Sequence, residues 1–203
     1  MSRSPALRDQ RRGEIVDAAR AIVVRDGLEA LTFGALEREL GYTRGVVTWH
    51  FRNKDEVVRA VLDQAVAEID AAALAAIRAE STFPERARAV VREMVRGWLG
   101  GTGAGQVIVS FWGRLSADAD AAEVNAALYR RYRGYAADLV RLGQARGEFA
   151  PDVDAEAMGA VLVALVLGIA LQAMFAEGDE VDVERAVALA GDAVVAHLVA
   201  QAA

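Results

Sequence analysis

The chain contains no cysteine, which excludes disulfides and thiolate metal sites. Two histidines in 203 residues leave no plausible histidine cluster, so no metal and no cofactor is expected. No Ser-His-Asp order and no glycine-rich phosphate loop occurs, so no catalytic residues are assigned and the chain is not expected to be an enzyme. Proline is confined to Pro5, Pro84 and Pro151, positions suited to helix starts or an exposed tail. No stretch alternates apolar and polar residues as a half-buried strand would. The opening stretch MSRSPALRDQRRGE lacks the apolar run of a secretory signal, and a cytoplasmic location is the default expectation.

What remains is 54% hydrophobic and 26% charged, the composition of a globular protein. The net charge of −6 argues against a nucleic-acid binder when taken whole. Divided after Lys54, residues 1–54 carry ten Lys and Arg against seven Asp and Glu, a charge of +3. The remainder carries thirteen against twenty-two, a charge of −9. The positive charge is therefore local, as a nucleic-acid-facing surface requires.

The periodicity is helical almost throughout. Ile15, Ala18, Ala19, Ile22 and Val23 share one face of a helix over 11–26 that Gly27 stops. Thr32 is placed to cap a short helix holding Phe33, Leu36 and Leu40, which Gly41 ends. Thr43 is placed to cap the next, with Val47 and Phe51 inward. A long helix follows Asn53 to about Glu80, and further helices fit 84–99, 105–116, 119–146, 152–177 and 182–201.

Residues 32–54, TFGALERELGYTRGVVTWHFRNK, are the most informative. Two helices of about two turns joined at Gly41 form helix-turn-helix logic. Arg44, Val46, Thr48 and Trp49 are left facing outward, and an outward tryptophan on so short a helix suits a major groove.

Residues 41–57, GYTRGVVTWHFRNKDEV, resemble the TetR-family signature, matched at Gly41, Thr43, Gly45, Val47, His50, Phe51, Lys54 and Val57. The chain departs from the pattern at Glu37, where a small residue is usual, and at Thr48, where tyrosine is commonest. The resemblance implies phosphate contacts from Thr32, Thr43, Thr48, His50 and Lys54, close backbone approach at Gly45, and base reading by Arg44 with Val46 and Trp49 beside it. It implies an all-α fold of about nine helices: a three-helix DNA-binding unit over 1–54, then a ligand-binding and dimerisation domain over 55–203.

The C-terminal part is similar, less closely, to the branch containing the betaine-pathway repressors, through Phe111-Trp112 and the run Tyr129, Arg130, Arg131, Tyr132. A pocket partly lined by Trp98, Phe111, Trp112 and Tyr129 is expected. Its ligand could be a cation over the ring faces or a neutral hydrophobic molecule, with Gln64, Ser110 and Gln172 as polar orienting groups. His197, on the last helix, reads as a structural or interface residue.

Residues 158–176 carry no charge over nineteen positions, enough for about 28 Å of helix, and a membrane span is the rival reading. Acidic flanks at Asp152, Asp154 and Glu156 and at Glu177, Asp179 and Glu180 oppose it, and no Lys, Arg, Trp or Tyr marks an interface. In the family the last two helices instead pair with their copies across a two-fold axis. The dimer interface is then expected to include Val161, Leu165, Gly168, Val187, Val194 and Leu198. The resemblance as a whole implies a homodimeric repressor that binds a palindromic double-stranded DNA operator, is released by a small-molecule effector, and does not enter a membrane. The alternative is a helical small-molecule-binding protein or enzyme with a vestigial helix-turn-helix.

Overall fold

A computed structural model describes residues 5–116, 118–177 and 180–199. Its described residues form nine α-helices and one 3-10 turn: α1 (Pro5–Asp26), the turn Leu28–Ala30, α2 (Phe33–Leu40), α3 (Arg44–His50), α4 (Lys54–Ala79), α5 (Phe83–Leu99), α6 (Ala104–Trp112), α7 (Ala119–Ala145), α8 (Ala155–Phe175) and α9 (Val183–Val199). The helix count agrees with the sequence reading. The first helix begins earlier than its apolar stripe suggests, α6 stops short at Gly113, and the 3-10 turn has no sequence cue.

Side chains close most of the helix starts. The Thr82 hydroxyl accepts from the Glu85 amide while the Glu85 carboxylate accepts from the Thr82 amide. Asp118 accepts from Ala121 N, and Asp154 from Glu156 N and Ala157 N. Each such cap stabilises its helix by about 1 kcal/mol. The cap at Asp154 is why α8 starts after residue 154 and not at 152.

The chain divides into two compact units, and the division differs from a single cut after Lys54. One unit runs to Ala67 and takes in Gly103–Arg114; the other comprises Glu68–Thr102 and the chain from Leu115 onward. The reason is the apolar face of α6. Val107, Ile108 and Phe111 are buried in the first unit, and Gly103 closes on α1, where a Cβ would lie 2.6 Å from Val24 Cγ2. The core of this unit is Ile15, Ala19, Ile22, Leu31, Leu36, Val47 and Phe51, with Val57, Val61 and Ala65 from the first turns of α4.

In the second unit α7 packs lengthwise on α8, and α5 packs on both α8 and α9. Small residues permit the closest crossing: a Cβ on Gly159 would sit 2.5 Å from the Arg133 carbonyl oxygen. After α7 the chain turns at Gly147, whose φ of 73° is left-handed, and folds back so that Phe149 lies over Gly143. A Cβ there would come within 2.1 Å of the Phe149 ring. Gly143→Ala should therefore lower the stability by about 1–3 kcal/mol through overpacking. Gly134→Ala, on the same helix with nothing within 4 Å of its Cβ position, should raise it by up to about 1 kcal/mol. Thermal unfolding of the two variants checks the contrast.

Candidate functional site

The first site is built on α2 and α3. Leu36, Val47 and Phe51 are buried, and they fix the two helices against α1. Gly41 ends α2 at φ 67°, a conformation that residues with a Cβ rarely adopt. Tyr42, next in the turn, donates its hydroxyl to Glu14 on α1, and Glu14 also accepts from Gln10. These bonds hold the Glu14 carboxyl below its usual range and raise the Tyr42 phenol.

The face left open consists of Thr43, Arg44, Gly45, Thr48 and Trp49, with Val46 and His50 half-buried. Trp49 is 58% exposed, the most solvated tryptophan the structure could offer to a partner on this short helix. Three hydroxyls stand near the face and differ in use. Thr32 accepts from Ala35 N, and Thr48 donates to the Arg44 carbonyl at 3.0 Å. Thr43 stands at the start of α3 but makes no side-chain capping bond, a difference from the sequence reading. Lys54 Nζ lies 3.7 Å from Glu29 Oε2. The departure at Glu37 also has a structural consequence: its Oε1 is shielded from solvent without a hydrogen-bond partner.

Sequence reading missed three arginines on α1. Arg8 stacks its guanidinium 5.2 Å from the centre of the Trp49 ring, and Arg12 lies 4.8 Å from that of Phe51. Trp49 in turn meets His50 edge to face at 4.6 Å. Burial, then the charges of Arg8, Arg11 and Arg12, push the His50 pKa below 6.5. His50 is therefore a neutral donor at pH 7 in the free protein. The signal was present as an arginine cluster in the first turns of α1, but no residue spacing ties that helix to α3.

The second site is a cavity of about 500 Å³ within the second unit. Its walls come from the later turns of α4 and from α5, α7 and α8. Trp98, Tyr129, Tyr132 and Tyr135 supply rings; Leu74, Ile77, Leu162, Val166 and Leu167 supply aliphatic surface; Asp70 and Asp138 are its carboxylates. Trp98 and Tyr129 thus stand where the sequence reading expected pocket residues. Phe111 and Trp112 do not, because α6 belongs to the first unit, where Phe111 packs beside Val23, Leu28 and Val58. Gln64 donates to Asp17 and Gln172 to the Gly168 carbonyl, and neither they nor Ser110 line the cavity.

The third feature is the outer face of α8. Val161 is 46% and Phe175 69% exposed, with Ala157, Ala160, Ala164 and Gln172 in the same stripe and Leu165 and Gly168 half-buried. Val187, Val194 and Leu198, expected at a partner interface, are instead buried within the unit, because that stripe of α9 is the one α5 needs. The exposed apolar residue of α9 is Leu189, at 62%. His197 is exposed on α9.

A model of the N-terminal part of the tetR family of bacterial regulatory proteins matches residues 15–61, and one of the C-terminal part of BetI-type transcriptional repressors matches residues 83–199. The HTH-type transcriptional regulator SrpR of Pseudomonas putida is 40% identical over 60 residues, which is 30% of this chain and 28% of that protein. The chain thus spans little more than a quarter of the curated relative it matches. A transcriptional regulator from Saccharomonospora viridis, solved in complex with choline, superposes with a TM-score of 0.78 at 20% identity over 91% of this chain and 95% of that one. A TetR-family regulator from Cytophaga hutchinsonii gives 0.82 at 19% identity over 97% and 98%.

The His50 environment can be tested directly, since only two histidines contribute imidazole signals. An NMR titration should place its midpoint below 6.5, and Arg8→Ala should move it up only part of the way, because burial is the larger cause. The sign for stability follows. Below the unfolded pKa the unfolded chain binds the proton and the folded one does not, so His50 destabilises the fold progressively as pH falls from about 6.5. A midpoint at or above 6.5 would contradict this placement.

Proposed function

The chain belongs to the TetR family of DNA-binding transcriptional regulators, and from that premise we propose that it is a homodimeric repressor which a small-molecule effector releases from a palindromic operator. The family is one of regulators and not of enzymes, which removes the reading of a vestigial helix-turn-helix on a catalytic domain. The observation that carries the effector reading is the 500 Å³ cavity in the unit that does not hold the helix-turn-helix. Choline bound by the Saccharomonospora viridis relative supports a small-molecule role for such a unit.

The exposed stripe of α8 supports the homodimer. An apolar strip containing Val161, Ala164 and Phe175 with Leu189 nearby in sequence on α9 is an interface in search of a partner, and a second copy covers it by two-fold symmetry. The same covering is the alternative to a membrane for a helix that passes a membrane-span test on length and composition alone. On this reading the protein acts in the cytoplasm, and two copies of α3 address successive major grooves of a palindrome.

Arg44 is exposed at the start of α3 and is assigned to base reading; Val46 and Trp49 lie beside it. Thr43, Thr48, His50 and Lys54 are assigned to phosphates, Thr32 to the same strand of contacts, and Gly45 to close backbone approach. Helix α4 carries Lys54 at its start and Asp70, Leu74 and Ile77 on the cavity wall, which supports transmission along one helix. Release requires an effector that binds the DNA-free conformer more tightly than the DNA-bound one.

Binding sites selected from a random duplex library should be palindromic. Arg44→Ala should relax base preference at one or two positions per half-site, a loss of about 1–3 kcal/mol of discrimination for each base contact. Lys54→Ala should weaken all sequences about equally and flatten the salt slope by about one unit. Neutral His50 should leave that slope unchanged in His50→Gln. Uniform weakening by Arg44→Ala would assign base reading elsewhere.

A further inference from the structure

The polar groups of the cavity specify a ligand chemistry that differs from the choline of the Saccharomonospora viridis relative. Both carboxylates on the wall are already held by arginines outside it: Asp70 by Arg131 at 2.8 Å and Asp138 by Arg141 at 2.8 Å. Arg131 also lies 5.5 Å from the centre of the Tyr132 ring and 5.9 Å from that of Tyr135. The attraction those rings would offer an ammonium group is therefore already engaged by a guanidinium of the protein. A cationic ligand would have to displace Arg131 or sit beside it. An anionic one would meet two carboxylates with no lysine, arginine or histidine on the wall.

One polar atom on the wall is left over. Tyr132 is 8% exposed, and its hydroxyl is shielded from water without a hydrogen-bond partner of acceptable geometry. Burial, with the Asp70 carboxylate close by, raises its pKa, so it is a protonated donor at every physiological pH. A buried donor without an acceptor is unfavourable, and a ligand that supplies the acceptor gains by it.

We propose that the cavity takes an uncharged, largely apolar molecule of drug-like size that presents one hydrogen-bond acceptor to the Tyr132 hydroxyl, and that Arg131 excludes quaternary ammonium ligands. The inference rests on the cavity being the effector site and deepens that reading by naming the ligand class. A volume of about 500 Å³ lies in the range that such molecules fill.

The test uses the full chain and Nile red, an uncharged fluorophore with a single ring carbonyl whose emission moves to the red when that carbonyl is hydrogen-bonded. The protein should bind one Nile red per chain, and choline at millimolar concentration should not displace it. Tyr132→Phe should weaken binding by about fivefold, the effect of one neutral hydrogen bond, and move the emission to the blue. Leu74→Trp, a substitution at a partly exposed position of the wall, should weaken binding at least as much by filling space. Arg131→Ala should gain choline binding, seen as displacement of the dye. Displacement by choline from the wild-type protein would overturn the proposal. So would Nile red binding with unchanged affinity and colour in both Tyr132→Phe and Leu74→Trp. Release of a selected duplex is read separately by fluorescence anisotropy. Tyr132-dependent dye binding without DNA release would leave the ligand class standing and remove the effector reading instead.

Discussion

Helix α8 has to be covered on more sides than one neighbour can reach. It is twenty-one residues long and carries a single charge, at Glu156 in its first turn. One face, Met158, Leu162, Val166 and Ala170, is buried by α7 and α5. Burying such side chains contributes roughly 1.5–3 kcal/mol each. The close crossing at Gly159 sets the distance between α7 and α8 there. Farther along, the rings of Tyr129, Tyr132 and Tyr135 hold the helices apart and leave the cavity. The remaining face, from Ala157 to Phe175, has no cover within the chain. Cavity and interface are thus two consequences of one apolar helix, with α7 deciding how much of it the chain itself can bury.

The helix-turn-helix works on a different balance. The chain as a whole is acidic, with a net charge of −6. The arginines that matter are concentrated around α3, and Arg8 and Arg12 approach from α1 and not from α3 itself. Arg8 on Trp49, and Trp49 on His50, make a stacked row along the edge of the recognition helix. Such a row limits the rotamers of an otherwise exposed tryptophan, so less side-chain entropy is lost when it meets a groove.

Much of this was legible in the sequence where the information is local. Caps, glycine turns and inward positions of α2 and α3 follow from residue spacing, and Leu36, Val47 and Phe51 are buried as that spacing requires. What spacing cannot supply is the identity of the neighbour. Val187, Val194 and Leu198 form a true apolar stripe, but α5 occupies it, and Leu189 on the opposite side of α9 is left exposed. Phe111 was correctly apolar and wrongly grouped, because α6 returns to the first unit. The cavity tyrosines follow an i, i+3, i+6 pattern on α7, yet their arginine partner at Arg131 interrupts the stripe and masks it. Arginines at helical surfaces read as solvated charge until the structure shows which ring they cover.

The central claim is that two copies of this chain, joined through the open face of α8, hold one duplex. Native mass spectrometry of the protein with a duplex selected from a random library tests it most directly. The account predicts two chains per duplex for the wild type. For Ala164→Glu, which places a charge in the exposed stripe without touching the helix-turn-helix, it predicts loss of that complex and a folded single chain in solution. A wild-type complex with one chain per duplex, or an Ala164→Glu protein that still binds in pairs, would contradict it.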